Sequence, residues 1–262
     1  MIPKIIHYCW LSGEEFPQDR KNNIASWKAR LPDYEFMLWD TKRFDMSKSV
    51  WAQQAFENKK YAFAADLIRF HALYTYGGIY LDTDVEVLKS FNNLLSLPYF
   101  IGTQFDNLIE AGVFGSEKGS SWILKCMQYY NDRSFIKENG DFDTLELPRV
   151  MKSQLKGTKN IIIMQNSQVQ KVKLLLKKDD SLFLFPFEYF SAKNYESGKI
   201  TTTKNTYTIH YFNSSWLPFF SRFRRKLRIT MGVHQTKKII SFLRLRKLLN
   251  FLYVLEKKWD SR

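Results

Sequence analysis

The 262-residue chain contains few cysteines and little glycine or proline. Its two cysteines, Cys9 and Cys126, lie far apart, and neither belongs to a C-x-x-C motif or to the Cys/His spacing of a zinc site. With 11 glycines and 7 prolines, the chain lacks the composition of collagen or of a low-complexity segment. These scarcities exclude a disulfide-stabilised scaffold and favour a reducing compartment.

Long apolar runs are also absent. Lys or Arg interrupts every apolar stretch well before the roughly 20 residues that a membrane-spanning helix needs. The opening segment MIPKIIHYCW reaches polar Ser12 after an apolar run too short for the core of a signal peptide. We therefore expect a protein that is neither secreted nor inserted in a membrane, and we predict a cytoplasmic location.

Acidic residues are scarce in the last part of the chain. Residues 217–262 hold 13 Lys or Arg and 2 Asp or Glu, whereas residues 1–216 hold 27 and 24. The overall net charge of +14 therefore comes mostly from residues 217–262, which we call the basic tail. We predict one α/β domain over residues 1–216, followed by a basic helical extension over residues 217–262.

Alternating strand-like and helical stretches indicate the α/β class for residues 1–216. The most distinct feature is a long helix from about Lys59 to Tyr76, which ends at Gly77-Gly78 and leads into a strand from Ile79 to Leu81. Further strands are predicted at Ile5–Trp10, Tyr34–Trp39, Tyr99–Gly102, Ala111–Phe114, Ile161–Met164, Leu182–Phe185 and Thr206–Phe212, and further helices at Asn22–Leu31, Ser120–Tyr130 and Thr144–Leu155.

Two carboxylates follow the strand after the long helix, in the sequence IYLDTDV. Because alternate residues of an extended chain share a face, Asp82 and Asp84 are expected to point in the same direction. Oxygen ligands of this kind suit Mg²⁺ or Mn²⁺. The same spacing recurs at Asp141-Phe142-Asp143, but no strand leads into that copy, and we predict a helix start there.

The long helix carries one acidic and one basic residue in an otherwise apolar stretch. Asp66 and Arg69 are the only charged residues between Lys60 and Asp82, and their spacing of three places them on one helix face. An ion pair inside an apolar helix is costly unless it has further partners. The pair therefore either faces a polar cleft or forms a buried salt bridge.

Three segments together resemble glycosyltransferases of family 32. AADLIRFHALYTYGGIYLDTDV resembles the sugar-binding segment of that family, which carries its DXD motif. IPKIIHYCWLSG is similar to the family's N-terminus, and IHYFNSSW, residues 209–216, resembles its C-terminal His-x-x-x-x-Ser-Trp. The resemblance implies a GT-A fold, a nucleotide-sugar donor, a divalent metal (Mn²⁺ or Mg²⁺), and transfer with retention at the anomeric carbon.

The resemblance also implies roles for individual residues. Asp82, Asp84 and His210 would bind the metal, while Asp66 and Arg69 would hold the donor sugar. The alternatives to His210 as the third metal ligand are Tyr211, Asn213, Ser214 and Ser215. The residues expected to bind the donor are His7, Tyr8, Trp10, Asp66, Arg69, Tyr80, Asp82, Ser215 and Trp216. The residues expected to act in catalysis are Asp82, Asp84, Arg69 and Glu110.

The roles of His7 and Trp10 and the identity of any nucleophile are also open at this point. Strand alternation places Tyr8 and Trp10 on one face and His7 on the other, so either His7 or Trp10 could instead belong to the core. Retention of the anomeric configuration needs either a protein nucleophile or attack by the acceptor on the face of the sugar that the diphosphate leaves. We favour same-face attack, and Glu110, in LIEAGVF, is the carboxylate to test as a nucleophile.

The expected substrates follow from the resemblance and from the basic tail. We expect a UDP-sugar rather than a GDP-sugar, and a lipid-linked glycan acceptor in the synthesis of a bacterial capsule or other surface polysaccharide. Each basic residue near an anionic membrane contributes about 1 kcal/mol, so the tail is expected to hold the enzyme on the inner face of the cell membrane. A tail packed on the domain is the alternative. No nucleic-acid partner is expected, because no known reading module accompanies the charge.

Two other functions compete with this interpretation. One is a toxin-like O-glycosyltransferase that modifies proteins. The other is a basic protein that binds membranes or nucleic acid without catalysis.

Overall fold

The computed structural model describes residues 1–176, 180–213, 217, 219–232 and 235–236. The predictions for Ser215 and Trp216, for the domain boundary at residue 216 and for most of the basic tail lie outside the described residues. Within them, a mixed α/β architecture with a central sheet confirms the predicted class. No helix in these ranges is long and apolar enough to cross a bilayer.

Most of the predicted elements are present, with shifted ends. The strands are β1 (Ile5–Cys9), β2 (Glu35–Trp39), β3 (Gly78–Leu81), β4 (Val85–Val87), β5 (Tyr99–Thr103), β6 (Ile109–Ser116), β7 (Asn160–Ile163), β8 (Ser181–Leu184) and β9 (Thr208–His210). The α-helices are α1 (Gln18–Arg30), α2 (Val50–Glu57), α3 (Tyr61–Tyr76), α4 (Ser121–Met127), α5 (Leu147–Leu155), α6 (Asn166–Val169), α7 (Val172–Leu175), α8 (Phe187–Phe190) and α9 (Phe219–Met231). The sequence patterns missed α2, α6, α7, α8 and β4.

The central sheet has the strand order β2-β1-β3-β6-β5. Strand β1 runs parallel to both β2 and β3, whereas β6 is antiparallel to β3 and β5. His7 lies opposite Tyr80 in the β1–β3 pairing, so these two strands end at the same edge of the sheet. In open α/β sheets, ligands bind outside the carboxyl ends of the strands, which makes this edge the expected site.

Helix α3 packs against the sheet and positions β3. Because its apolar residues surround the helix on nearly every side, α3 is buried along most of its length. It ends at Gly77, with φ 69°, where a Cβ atom would lie 2.7 Å from the backbone nitrogen of Lys118. A larger residue would therefore collide with the chain, and the glycine ending predicted from the sequence is confirmed.

A small second sheet brings β9, which is distant in sequence, to the DXD motif. Strand β4 pairs antiparallel with β9, and Val85 lies opposite His210. The indole N–H of Trp27, on α1, donates to the carbonyl of Val85 at 2.7 Å and helps to fix β4. This pairing places His210 beside Asp84, although the two residues are far apart in sequence.

The DXD residues form a turn after β3 and do not continue the strand. The N–H of Val85 donates to the carbonyl of Asp82 at 3.0 Å, which closes the turn. The prediction that an extended backbone aligns Asp82 and Asp84 is therefore wrong. The turn nevertheless directs both carboxylates toward His210.

The second Asp-x-Asp copy is not a helix start. Asp143 is buried, and its carboxylate pairs with Arg133 at 2.7 Å and accepts a hydrogen bond from Tyr129 at 3.2 Å. Helix α5 begins only at Leu147, with Glu146 as its N-cap. This aspartate thus binds the loop before α5 to the preceding helical segment, because a buried carboxylate needs a cationic partner.

Candidate metal and sugar-donor site

Three side chains at the carboxyl edge of the sheet could hold one metal ion. Asp82, Asp84 and His210 each offer one ligand atom, and these atoms all lie within 4.8 Å of one another. His210 Nε2 lies 3.4 Å from Asp84 Oδ1. The side chain of Asp82 is 27% exposed and that of Asp84 13%, so the site opens to solvent on the side of Asp82.

Glu110 fixes the orientation of His210. The Nδ1 atom of His210 lies 2.9 Å from Glu110 Oε1. Because a carboxylate can only accept, Nδ1–H donates to Glu110, while Nε2 faces Asp84, carries a proton in the absence of a metal and is the nitrogen that would bind one. A carboxylate behind a histidine is the usual arrangement in metal sites, where it sets the tautomer of the ring.

Glu110 itself is fully buried on β6. Its Oε1 atom also accepts from the N–H of Gly112 at 2.6 Å, and its Oε2 atom accepts from the Ser191 hydroxyl. Both oxygens are therefore occupied, and the side chain has no surface that a sugar could reach. The structure contradicts the expectation that Glu110 acts as a nucleophile and makes it a positioning residue for His210.

The charges of Asp84 and His210 support each other. Burial alone would raise the pKa of Asp84, but the His210 charge and the N–H of Asn213, 2.7 Å away, hold that pKa well below its ordinary value. Burial disfavours a charged His210, yet the carboxylates of Glu110 and Asp84 raise the pKa of His210 well above its ordinary value. The site therefore attracts positive charge.

Arg69 joins α3 to the DXD motif. Its guanidinium lies 3.0 Å from Asp66 and 3.4 Å from Asp82, and it donates to the carbonyl of Ala111 at 2.7 Å. Asp66 and Arg69 are both more than nine-tenths buried. The sequence left open whether this pair faces a polar cleft or forms a buried salt bridge. It is a buried salt bridge, and Arg69 also contacts Asp82 of the site.

The site carries an excess of negative charge that a divalent cation would offset. Burial raises the pKa of Asp66 to about 7 despite Arg69, and burial together with Asp84 also raises the pKa of Asp82. Four carboxylates, those of Asp66, Asp82, Asp84 and Glu110, face the two cationic groups Arg69 and His210. Oxygen and imidazole ligands in this arrangement suit Mn²⁺ or Mg²⁺, so the residues fit the expected metal.

Tyr80 contacts the DXD motif from inside the core. It is 1% exposed, its hydroxyl donates to Asp82 Oδ1 at 3.0 Å, and the Arg69 guanidinium lies 4.6 Å from its ring centre. A side chain enclosed in this way cannot contact the donor. The expectation that Tyr80 binds the donor is therefore corrected, because its hydroxyl holds Asp82 instead.

Tyr8 and Trp10 lie at the same edge of the sheet and are partly exposed. The edge of the Tyr8 ring packs on Trp27 at 5.4 Å between ring centres. The Trp10 ring lies 4.6 Å from that of Phe16, and its indole N–H donates to the carbonyl of Glu14 at 2.6 Å. Both rings keep an accessible surface near the DXD motif, and their role in holding the base stays a prediction.

His7 belongs to the core and not to the donor site. It has no exposed surface, its Nδ1 atom accepts from the Trp39 indole at 3.0 Å, and its Nε2–H donates to the carbonyl of Gly77 at 2.7 Å. Both ring nitrogens are satisfied within the protein. The alternative of a hydrogen-bonded core histidine is thus the correct one, and the donor-binding role is not.

The burial of His7 predicts a loss of stability in acid. Burial lowers the pKa of His7 from 6.5 to about 4. The unfolded chain therefore binds a proton that the folded chain rejects, and stability falls as the pH drops from about 6.5 toward 4, by about 3 kcal/mol in all. Urea unfolding across this range should show a shallower decline for His7→Gln. Equal declines in the two proteins would contradict the prediction.

Gly112 is a site residue that the sequence did not reveal. A Cβ atom there would lie 2.6 Å from Cε1 of His210 and 2.9 Å from Oδ2 of Asp82. Its carbonyl also accepts from the N–H of Asp82 at 2.8 Å. The glycine thus makes room for two ligands at once. The one signal in the sequence was a glycine inside the apolar strand EAGVF, because glycine within a strand often marks a place that another group approaches closely.

We expect Gly112→Ala to impair metal binding. The added methyl group must displace His210 or Asp82, so the affinity for Mn²⁺ should fall about 10-fold or more. Gly115→Ala is the matched control, because a Cβ there would lie 2.4 Å from the Phe100 ring, away from the ligands. Both changes overpack β6 and should cost about 1–3 kcal/mol of stability. Equal Mn²⁺ affinities in the two variants would refute the expectation.

Further basic and polar groups surround Asp84. Lys193 donates to the carbonyl of Tyr211 at 3.2 Å, and burial together with Arg225 lowers the pKa of Lys193. Asn213 binds Asp84 through its backbone and Asp19 through its side chain. Sequence reasoning named Asn213 only as an alternative metal ligand and missed Lys193, because tertiary contacts alone bring Lys193 to the DXD motif.

The family described as "Glycosyltransferase sugar-binding region containing DXD motif" matches residues 17–101. Inositol phosphoceramide mannosyltransferase 3 of Schizosaccharomyces pombe is 32% identical over 131 residues, which cover 48% of this chain and 36% of that protein. An uncharacterised glycosyltransferase, L373, of Acanthamoeba polyphaga mimivirus is 26% identical over 229 residues, which cover 83% of this chain and 85% of that protein.

The mannosyltransferases are longer than the region they share with this chain. The chain matches 36% of the S. pombe protein and 37% of the mannosyl phosphorylinositol ceramide synthase SUR1 of Saccharomyces cerevisiae. Among solved structures, the PaToxG glycosyltransferase has a TM-score of 0.45 at 20% identity, over 66% of this chain and 75% of that chain. Residues 17–101 therefore match the sugar-binding region of DXD-motif glycosyltransferases, which confirms over this segment the resemblance inferred from the sequence.

Proposed function

We propose that this protein is a retaining, metal-dependent glycosyltransferase. It would transfer a sugar from a nucleotide diphosphate donor to a lipid-linked glycan. The observation that carries the proposal is the convergence of Asp82, Asp84 and His210 within 4.8 Å, next to the buried Asp66–Arg69 pair. A GT-A arrangement is part of the proposal and is supported by the DXD turn at the shared edge of β1 and β3.

Each side chain of the site has a separate role in the proposed reaction. A divalent cation held by Asp82, Asp84 and His210 would stabilise the negative charge of the leaving diphosphate. Arg69 fixes Asp82, and Asp66 offers a carboxylate beside it that could accept hydrogen bonds from sugar hydroxyls. Because Glu110 is enclosed, we propose that retention arises from attack by the acceptor on the face that the diphosphate leaves.

The proposed substrates rest on the names of the relatives and on the sequence. The S. pombe and S. cerevisiae relatives are named for mannosyl transfer and for inositol phosphoceramide, which is a lipid. This agrees with a lipid-linked acceptor and adds mannose to the candidate donor sugars. A UDP-sugar in preference to a GDP-sugar, a role in bacterial surface polysaccharide, and a place on the inner face of the cell membrane are proposed from the sequence.

A thermal-unfolding screen tests the donor. UDP- and GDP-sugars, including the mannose donors, are added with and without Mn²⁺. A donor present at 100 times its dissociation constant should stabilise the fold by about 2.7 kcal/mol, and only with metal. Release of free sugar from the donor is the second readout. If no nucleotide sugar stabilises the protein or is hydrolysed, the transferase proposal fails.

A vesicle test addresses the membrane. Residues 233–262 hold 8 Lys or Arg, and their removal leaves α9 in the chain. We expect the full chain to sediment with anionic vesicles at low salt, and the shortened chain to bind them much more weakly, because most of the charge of the basic tail is lost. Equal binding of the two chains, or no binding of the full chain, would refute a membrane role for this segment.

A further inference from the structure

The chain makes a strained turn directly after the metal ligand His210. Phe212 has a positive φ of 52°, in the left-handed region that favours glycine. For a residue with a Cβ atom this conformation is unfavourable, because the Cβ atom crowds the following carbonyl oxygen. Such a conformation persists only when the surrounding contacts hold it in place.

The turn contacts two of the three metal ligands. The Phe212 ring stacks on the His210 imidazole, with 4.0 Å between ring centres and 27° between planes. The next residue, Asn213, donates its backbone N–H to Asp84 Oδ2 at 2.7 Å. With Phe212 in the β region, the following N–H would point elsewhere, so the positive φ and the bond to Asp84 belong together.

Arg225, on α9, holds this turn from the other side. Its guanidinium donates to the carbonyl of Phe212 through Nη1 and to the carbonyl of Tyr195 through Nε at 3.3 Å. The same guanidinium lies 4.1 Å from the centre of the Tyr195 ring, and that ring meets the Phe212 ring edge-on at 5.6 Å. The planar fork of one arginine thus ties two loops together behind the ligand set.

A second contact fixes α9 in the position that this requires. Gly198 leaves space for Ile229, because a Cβ atom at Gly198 would lie 2.7 Å from Cγ2 of Ile229. Helix α9 therefore rests on the loop between Tyr195 and Gly198, and its arginine reaches the turn at Phe212. The contacts run without a gap from α9 to Asp84 and His210.

We propose that Arg225 is a positioning residue for the metal site and couples α9 to it. It keeps Phe212 in its strained conformation, so that the Asn213 N–H and the Phe212 ring hold Asp84 and His210 in place. This rests on the proposed metal-dependent function, and it assigns part of the basic tail to the site itself. By thermodynamic reciprocity, metal binding must in turn stabilise the docked position of α9.

Mn²⁺ binding by the full-length protein tests the proposal without any turnover. The free-ion electron paramagnetic resonance signal is followed while Mn²⁺ is titrated into wild type, Arg225→Ala and Arg222→Ala. Arg222 is an exposed arginine on the same helix and serves as the matched control. Loss of an outer partner of a metal ligand typically weakens affinity about 10- to 100-fold, which we expect for Arg225→Ala and not for Arg222→Ala.

Hydrogen exchange separates coupling from simple packing. In wild type, Mn²⁺ should slow amide exchange in α9, and Arg225→Ala should abolish that effect. If Arg225→Ala fails to fold in a thermal scan, Arg225→Lys replaces it, and we expect weakened Mn²⁺ binding because the single nitrogen of an ammonium lacks the planar fork that reaches both carbonyls. Wild-type affinity in either folded variant overturns the proposal.

The outcomes also separate this inference from the proposed function. If wild type binds Mn²⁺ and Arg225→Ala binds it equally well, only the role of Arg225 falls. If wild type binds Mn²⁺ but no nucleotide sugar is used, the transferase proposal falls and the role of Arg225 stands. If wild type binds no Mn²⁺, both are overturned.

Discussion

Asp84→Asn should abolish metal binding while leaving the fold intact. The asparagine keeps an oxygen that can accept the N–H of Asn213, so the turn after β9 retains this bond. It loses the negative charge that faces His210 and the metal position. Because removal of an outer partner already weakens metal affinity about 10- to 100-fold, loss of a direct ligand should exceed that range.

The second Asp-x-Asp copy supplies the control for this prediction. Asp141→Asn is the same chemical change at an exposed residue of that copy. Mn²⁺ titration and the thermal shift with donor plus Mn²⁺ are compared among the three proteins. We expect wild type and Asp141→Asn to behave alike and Asp84→Asn to show no metal-dependent shift. Equal Mn²⁺ affinity in both variants would remove Asp84 from the ligand set.

The local sequence was sufficient to predict the elements that carry the DXD motif. The long apolar helix, its glycine ending and the strand that follows are governed by short-range rules, and α3 and β3 appear where those rules place them. Strand β4 was not predicted, because a strand of three residues is too short to show an alternating pattern. Its pairing with β9, which brings His210 to Asp84, depends on the whole fold.

The roles of single residues were less predictable than the elements. His7 and Glu110 are polar residues in apolar strands, and the sequence cannot show whether such a residue faces a cleft or finds partners inside. In the structure, Trp39 and Gly77 satisfy His7, while Ser191, Gly112 and His210 satisfy Glu110. Each of these sets includes a partner that is distant in sequence, so local pattern carried no signal of it.

Arg69→Met should cause the largest loss of stability among the site variants. Methionine fills a similar volume but leaves the carboxylates of Asp66 and Asp82 without their shared cation in a buried region. Removing one partner of a buried ion pair typically costs about 3–5 kcal/mol. The carbonyl of Ala111 also loses its donor. Urea unfolding at pH 8 measures the loss.

The pH dependence of this loss follows from Asp66. Its pKa is already raised to about 7 by burial, and removal of Arg69 raises it further. A carboxyl group whose folded-state pKa is raised is tolerated when protonated and costs stability when ionised, so its penalty grows as the pH rises from about 4 through the folded-state pKa. The deficit of Arg69→Met should therefore shrink at pH 5. In the double variant Asp66→Asn/Arg69→Met, part of the loss at pH 8 should be recovered.

Helix α5 offers a control with the same spacing in a different environment. Glu146 and Arg149 are also an acidic and a basic residue three positions apart, 3.5 Å from each other, but their side chains are 39% and 60% exposed. Water screens this pair, so Arg149→Met should change stability by less than about 0.5 kcal/mol. If Arg69→Met costs no more than that, Arg69 does not hold Asp66 and Asp82 together. If it costs several times more, burial by α3, and not the spacing in the sequence, turns this pair into part of the site.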